Sequence, residues 1–375
     1  MGRLEVDVNP EIIKWARESA GFSVDEIAKK LKISRESYRA LESGRKKPTF
    51  KQLELLSKYF MRPLATFLLQ KSPEEKTIAS SFRILPKSEL KFSRDLRLAI
   101  RKARYYQSIS RELMRDLGIE IETKIKRRTL QEDPKESAKE ERQNLGISLD
   151  EQFEWENAYE AFDAWRSAIE SKNVFVFQFK FPLEDARGFC LVEDPPVIVV
   201  NFADNIKARI FTLAHEYAHL ALGISEVYSE EIVNDGDVEN WCNTFASELL
   251  IPQEALEKTL EFSFIKDKKR ISPKILEDLS KKFKVSKRAV LVRLRTLSIV
   301  DEDVESSISP EQRPVHATRI ILPEEKCIQE KGKRFASLVI EGRDREVITT
   351  QDALEYLSIK LKRLEKLEKL IERLR

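Results

Sequence analysis

The chain is poor in cysteine, histidine and glycine, with 3, 3 and 10 of them among 375 residues. Cys190, Cys242 and Cys327 are odd in number and far apart, which excludes a disulfide framework and fits a reducing compartment. No apolar run reaches the ~18 residues of a membrane-spanning helix. The opening MGRLEVDVNPEIIKW lacks a basic start followed by an apolar stretch, so no signal peptide is expected. Val6 stands where a myristoylation signal has Ser or Thr. Charge of one sign is not in excess either: 67 basic against 64 acidic residues leave a formal +3. Bulk charge therefore names no partner, and only its distribution can. The expectation is a soluble cytoplasmic protein of two or three domains, with enough apolar residues (41%) for packed cores.

What is present is helical periodicity, interrupted once. Residues 10–70 read as short helices, with apolar positions at Ile12, Ile13, Ala16, Ile27, Ala28, Leu31, Tyr38, Leu41, Leu53 and Leu56. Ser23 and Glu26 form a capping-box pattern, Ser34 is placed to start the next helix, and Gly44 and Pro48 end it. Residues 71–93 read as a polar linker and 94–117 as a long basic helix. The charged stretch 124–142 is expected to be exposed. A helix over 149–172 comes next, with Phe153, Trp155, Ala158, Tyr159, Phe162 and Trp165 as its apolar side. Three short apolar runs then read as strands: 174–177, 188–192 and 196–201. Helices are expected over 206–222, stopped by Gly223, and over 238–250, stopped before Pro252. The terminal YLSIKLKRLEKLEKLIERLR reads as an amphipathic helix.

Two of the three histidines fall in H-E-Y-A-H, residues 215–219. On a helix His215 and His219 share a face, so both imidazoles can converge on one ion. Zinc takes three protein ligands at catalytic sites and leaves a position for water, whose proton Glu216 is suited to accept. Glu239 is favoured as third ligand, with Glu248 as its competitor. Asn243, four residues after Glu239, is suited to hold a ligand histidine in place. The acidic run Glu226, Glu230, Glu231, Asp235 and Asp237 reads as a solvated loop, and His316 as an ordinary histidine. Cys242 reads as a small buried side chain.

Residues from about 150 to 300 resemble the IrrE/ImmA-type metallopeptidases. The resemblance rests on P-V-I-V-V-N, R-I-F-T-L-A-H-E-Y-A-H-L and E-N-W-C-N-T-F-A-S-E-L-L-I-P. It implies zinc on His215, His219 and Glu239, with Glu216 catalytic and Mn²⁺ as an alternative ion. It departs from the family at Tyr217-Ala218, where Leu-Gly is frequent, and at Cys242, where Ala is. Residues 23–49 resemble the XRE-type helix-turn-helix. That resemblance implies double-stranded DNA as a partner, with Arg35, Glu36, Tyr38 and Arg39 toward base edges and Arg45, Lys46 and Lys47 toward phosphates. A second helix-turn-helix-like stretch, 272–297, is expected to close the catalytic domain rather than read DNA.

The fold class expected is α+β and mostly helical: an all-α helix-turn-helix domain (1–70), a helical linker region (71–148), a zincin-like peptidase domain with a small sheet (149–300) and a helical C-terminal region (301–375). The function implied is a DNA-binding zinc endopeptidase that cleaves a protein partner such as a repressor or antitoxin, with a homodimer as one assembly. The alternative is a transcription regulator whose metal site is sensory or structural. No membrane association is expected.

Overall fold

The computed structural model describes residues 4–73, 93–224, 227–228, 236–259, 271–300 and 321–373. Most of the linker reading at 71–93 lies outside them, as do Glu226, Glu230, Glu231, Asp235 and His316. The chain divides into two compact units, one holding the described residues up to Tyr106 and the other those from Gln107 onward. Among the described residues no helix is long and apolar enough to cross a membrane.

The first unit is built from α1 (Pro10–Ala20), α2 (Val24–Leu31), α3 (Arg35–Glu42) and α4 (Phe50–Phe60). Each begins at an oxygen-bearing side chain that accepts an otherwise orphaned amide: Asn9, Ser23, Ser34 and Thr49. The Ser23–Glu26 capping box is present. The expected apolar positions form one core, joined by Phe22, Phe60 and Phe67. Arg17 ties α1 to α3 through a 2.6 Å bond to Glu42 and also reaches the Phe22 carbonyl at 2.9 Å. Helix α5 (Arg94–Asp116) gives its residues to Tyr106 to this unit and the rest to the second.

The second unit carries a four-stranded sheet: β1 (Phe175–Phe179), β2 (Gly188–Leu191), β3 (Val197–Asn201) and β4 (Val227–Tyr228). Its order is β1-β3-β2-β4. β1 runs parallel to β3, while β2 is antiparallel to both β3 and β4. The first three strands are buried at every residue, which is why they read as continuous apolar runs. One face presents Val176, Ile198, Val200 and Cys190 to the main core. The other presents Phe175 and Phe177, which meet Phe335 edge-on at 6.4 and 5.6 Å.

Helices α6 (Pro134–Leu145), α7 (Leu149–Glu154) and α8 (Ala158–Glu170) precede the sheet. The single helix expected over 149–172 is thus two. Trp155 leaves the helix, and the Asn157 side chain accepts the Tyr159 and Glu160 amides to start α8 anew. Tyr159 is exposed rather than on the apolar side. After β3 come α9 (Ile206–Leu222), α10 (Gly236–Leu250), α11 (Gln253–Glu257), α12 (Pro273–Phe283) and α13 (Lys287–Thr296). The chain ends in α14 (Pro323–Asp344), α15 (Thr350–Leu357) and α16 (Leu364–Arg373). The terminal amphipathic segment is therefore also divided, because Ser358 closes α15 in the left-handed conformation.

The charged stretch 124–142 is exposed only in part: Lys124, Lys126, Arg127, Asp133 and Glu136 face solvent, but Arg128, Glu141 and Arg142 do not. Its backbone and cations finish the helices of the core. Arg127 donates to the Leu220 carbonyl at 2.8 Å, and the Arg128 amide to that of Ala221 at 2.9 Å, at the C-terminal end of α9. Arg142 donates to the Leu249 carbonyl at 2.7 Å at the end of α10, and burial draws its pKa down to about 10. Arg128, Glu141 and Arg142 are all buried. Charge forecast exposure here, but helix ends inside a core need donors, and long basic side chains supply them.

Candidate metal centre

Helix α9 presents the H-E-Y-A-H residues from its second half. Asn205 caps its start through a 2.9 Å bond from the Lys207 amide, and Gly223 ends it at φ +72°. The helix is buried almost throughout that half, because the sheet lies on one side of it and α10 on another. His215, Glu216 and His219 are each fully buried.

The two Nε2 atoms lie 3.0 Å apart. Glu239, in the first turn of α10, brings Oε2 to 3.4 Å from His215 Nε2 and Oε1 to 3.3 Å from His219 Nε2. A helix N-terminus favours a carboxylate at that position. Four bonds of about 2.0–2.1 Å in a tetrahedron separate neighbouring ligand atoms by about 3.3–3.4 Å. The nitrogen pair comes within a few tenths of an ångström of that spacing, Glu239 turns one oxygen toward each ring, and one ligand atom from each of the three residues lies within 4.8 Å of the others. Glu239 keeps its side chain 17% exposed, so the triad is reachable from solvent on one side.

Electrostatics suit a neutral His219 ring and a charged Glu239 carboxylate. Burial holds the His219 pKa below its ordinary value, reinforced by the neighbouring His215. Burial alone would raise Glu239. Hydrogen bonds from His215 and His219 outweigh it and hold the carboxyl far below the usual range. These are the protonation states a divalent ion requires.

Glu248 is engaged elsewhere. It pairs with the buried guanidinium of Arg293 and accepts the Gln253 amide at 3.1 Å. Asn243 does not hold His219, whose buried Nδ1 has no hydrogen-bond partner among the described residues. The small side chain at Cys242 is buried in the core, and Asp237 lies in the first turn of α10 rather than in a loop. Tyr217, where the resembled family often has Leu, directs its hydroxyl to Glu141 at 2.6 Å.

Gly188 was not singled out by sequence reasoning. A Cβ there would stand 2.5 Å from Thr212 Cγ2, 2.9 Å from the Val199 carbonyl and 3.3 Å from Glu216 Oε1. The missing side chain lets β2 lie directly over the Glu216 carboxylate. The only signal in the sequence is a glycine opening an otherwise bulky strand.

In the first unit Arg35, Glu36, Arg39, Arg45, Lys46 and Lys47 are all exposed. Tyr38 is not: it is fully buried where α3 packs on α1 and α2, as part of the core. A residue on the inner face of α3 cannot reach a base edge, so Tyr38 is removed from the DNA-contact set. Arg35 forms a 3.4 Å ion pair with Asp25, and Lys46 donates to the Ser37 hydroxyl at 3.2 Å.

Comparison with known families agrees with both regions. Residues 169–295 match the peptidase M78 family, described as an IrrE N-terminal-like domain. Residues 13–67 match a helix-turn-helix family. The chain thus joins a helix-turn-helix domain of the DNA-binding XRE type to a metallopeptidase-type domain. No curated protein matches it.

Proposed function

We propose that the chain is a DNA-binding regulatory protease, cytoplasmic and zinc-dependent, that cuts a protein partner of the repressor or antitoxin kind. One observation carries the reading: three buried or half-buried residues whose donor atoms, of the right kinds, lie within 4.8 Å of one another, with a second buried carboxylate, Glu216, on the same helix as the two histidines. His215, His219 and Glu239 would hold the metal. Zinc bound there supplies a Lewis acid and brings the pKa of a water molecule toward about 7. Glu216 takes the proton from the attacking water and later delivers it to the leaving amine. Burial under β2 at Gly188 keeps its carboxylate in one place for both transfers. A purely structural metal site has no use for such a base.

In the first unit α3 reads DNA through Arg35, Glu36 and Arg39, while Arg45, Lys46 and Lys47 hold phosphates. Placing reader and protease on one chain raises the local concentration of protease around any substrate bound at the same operator.

The test has two arms. Elemental analysis should find one zinc per wild-type chain, one in Glu216→Gln and none in His215→Ala. In cells, protein fragments generated by the wild type should fall at least about 10²-fold in Glu216→Gln. Full metal in His215→Ala removes the proposed ligand set. Undiminished fragments from Glu216→Gln remove the base.

A further inference from the structure

A cleft of about 370 Å³ opens in the second unit where α8, β1 and α14 meet, apart from the metal triad. That volume is within the ~300–1,000 Å³ of small-molecule sites. Met114, Phe175 and Leu338 give it an apolar floor, and Glu170, Arg334 and Ser337 line its polar side.

The polar side follows from a break in α14. Gly332 adopts φ 82°, ψ 155° inside the helix, and a Cβ there would collide with Glu170 and Arg166. Its absence lets those two residues of α8 lie against the α14 backbone. The Arg334 amide, freed by the break, donates to Glu170 Oε2 at 3.3 Å. Glu170 also forms a 3.3 Å ion pair with Arg166 Nε, the two side chains being 7% and 5% exposed.

The charges do not cancel. Glu170 is ion-paired with Arg166, which also feels the charge of Asp163, while the Arg334 guanidinium senses the Glu170 charge without an ion pair to it. Glu341, the other acid of the cleft, has Arg345 at 2.7 Å. Arg334 gives one nitrogen to the neutral Asn173 Oδ1 at 2.6 Å and stacks 5.2 Å over the Phe175 ring. Its buried Nε has no hydrogen-bond partner among the described residues. Burial lowers the Arg334 pKa and the Glu170 charge offsets this only in part, as expected of a cation short of one counter-charge.

We propose that this cleft binds a small organic anion, a carboxylate on an apolar body of roughly five to ten heavy atoms. The carboxylate meets the Arg334 guanidinium and the Ser337 hydroxyl one turn further along α14, and the apolar body lies against Phe175 and Leu338.

The test is calorimetric titration of the full chain with hexanoate, phenylacetate, hexanamide and inorganic phosphate. Both carboxylates should bind with a dissociation constant at or below about 1 mM. Hexanamide should bind at least about tenfold more weakly, because the charge-assisted bond is lost. Arg334→Gln should weaken carboxylate binding at least about tenfold, and Arg334→Lys less. Ser337→Phe, which fills the cleft and keeps the charge, should abolish it, with circular dichroism checking that each variant folds. No carboxylate binding by the wild type overturns the proposal. So does equal binding of hexanamide, or an unchanged affinity in Ser337→Phe. Binding of phosphate in preference to both carboxylates overturns the apolar half of the site. If Arg334→Gln does not fold, hexanamide and Ser337→Phe decide.

Discussion

Residues 23–42 and 272–296 are built to one local plan. In each, a serine caps a first helix, a lysine in the left-handed conformation closes it, and a second serine caps the next helix. The turns read Leu31-Lys32-Ile33-Ser34 and Phe283-Lys284-Val285-Ser286, with Lys32 at φ 55° and Lys284 at φ 57°. The second helices then meet opposite surroundings. On α3 only Tyr38 and Leu41 are buried, and Arg35, Glu36 and Arg39 are exposed. On α13 the position matching Arg39 is Leu291, which is buried in the main core. The position matching Leu41 is Arg293, fully buried against Glu248. Caps and turn make the motif, and the residues between one and two turns into the second helix decide whether its outer face stays exposed or supports the core. All but the last residue of the second copy lies within the stretch, 169–295, that matches the peptidase family, which fits its supporting role.

The largest expected effect strikes the supporting copy. Arg293 donates to the Ile251 carbonyl at 2.9 Å as well as to Glu248, and both charged side chains are essentially inaccessible. Arg293→Ala would strand a buried carboxylate and should cost about 3–5 kcal/mol. Arg39→Ala, on an exposed face, should change stability by no more than about 0.5 kcal/mol. Chemical denaturation followed through Trp155, Trp165 and Trp241, all in the second unit, measures the first value. A cost under about 1 kcal/mol would mean that Glu248 finds another partner and the two copies differ less than their burial implies.

The next effect strikes the copy proposed to read DNA. Reversing Arg35 and Arg39 to Glu should lower affinity for duplex DNA by at least about 10²-fold at moderate salt and flatten the salt dependence. Arg288→Glu, on the exposed side of α13, should leave it unchanged. Binding titrations over a range of salt separate the two. If Arg288→Glu proves as damaging as the double reversal, the second copy is a reader as well.

The contrast also marks what the sequence made legible. Local grammar was readable: α9 runs over the expected 206–222, β1 to β3 fall within about two residues of their forecast while the short β4 was not foreseen, and the histidine spacing leads to the triad. Partners distant in sequence were not. Arg142 finds the Leu249 carbonyl 107 positions away, and Tyr217 finds Glu141 across 76. Nothing within a window of local periodicity distinguishes such a charge from a solvated one. Tyr38 was missed as a core-only residue for a related reason. Its place near the start of α3 suggested base contact, whereas the face it occupies is set by α1 and α2. The broken helix at Trp155 and the break at Gly332 likewise depend on what lies opposite them.

The smallest expected effect tests the part of the plan that the copies share. Ser34 Oγ accepts the Ser37 amide at 3.1 Å, and Ser286 Oγ accepts the Ala289 amide at the same distance. Replacing either serine by alanine removes one cap bond and should cost about 1 kcal/mol. The two costs should agree within about 0.5 kcal/mol, because an N-cap serves amides of its own helix and not the surroundings that separate the copies. Denaturation of Ser34→Ala should shift the first unit alone, and that of Ser286→Ala the second alone. If Ser286→Ala costs several times more than Ser34→Ala, the core around α13 leaves the released amide without water to replace the lost bond. The shared plan would then be local in geometry but not in energy.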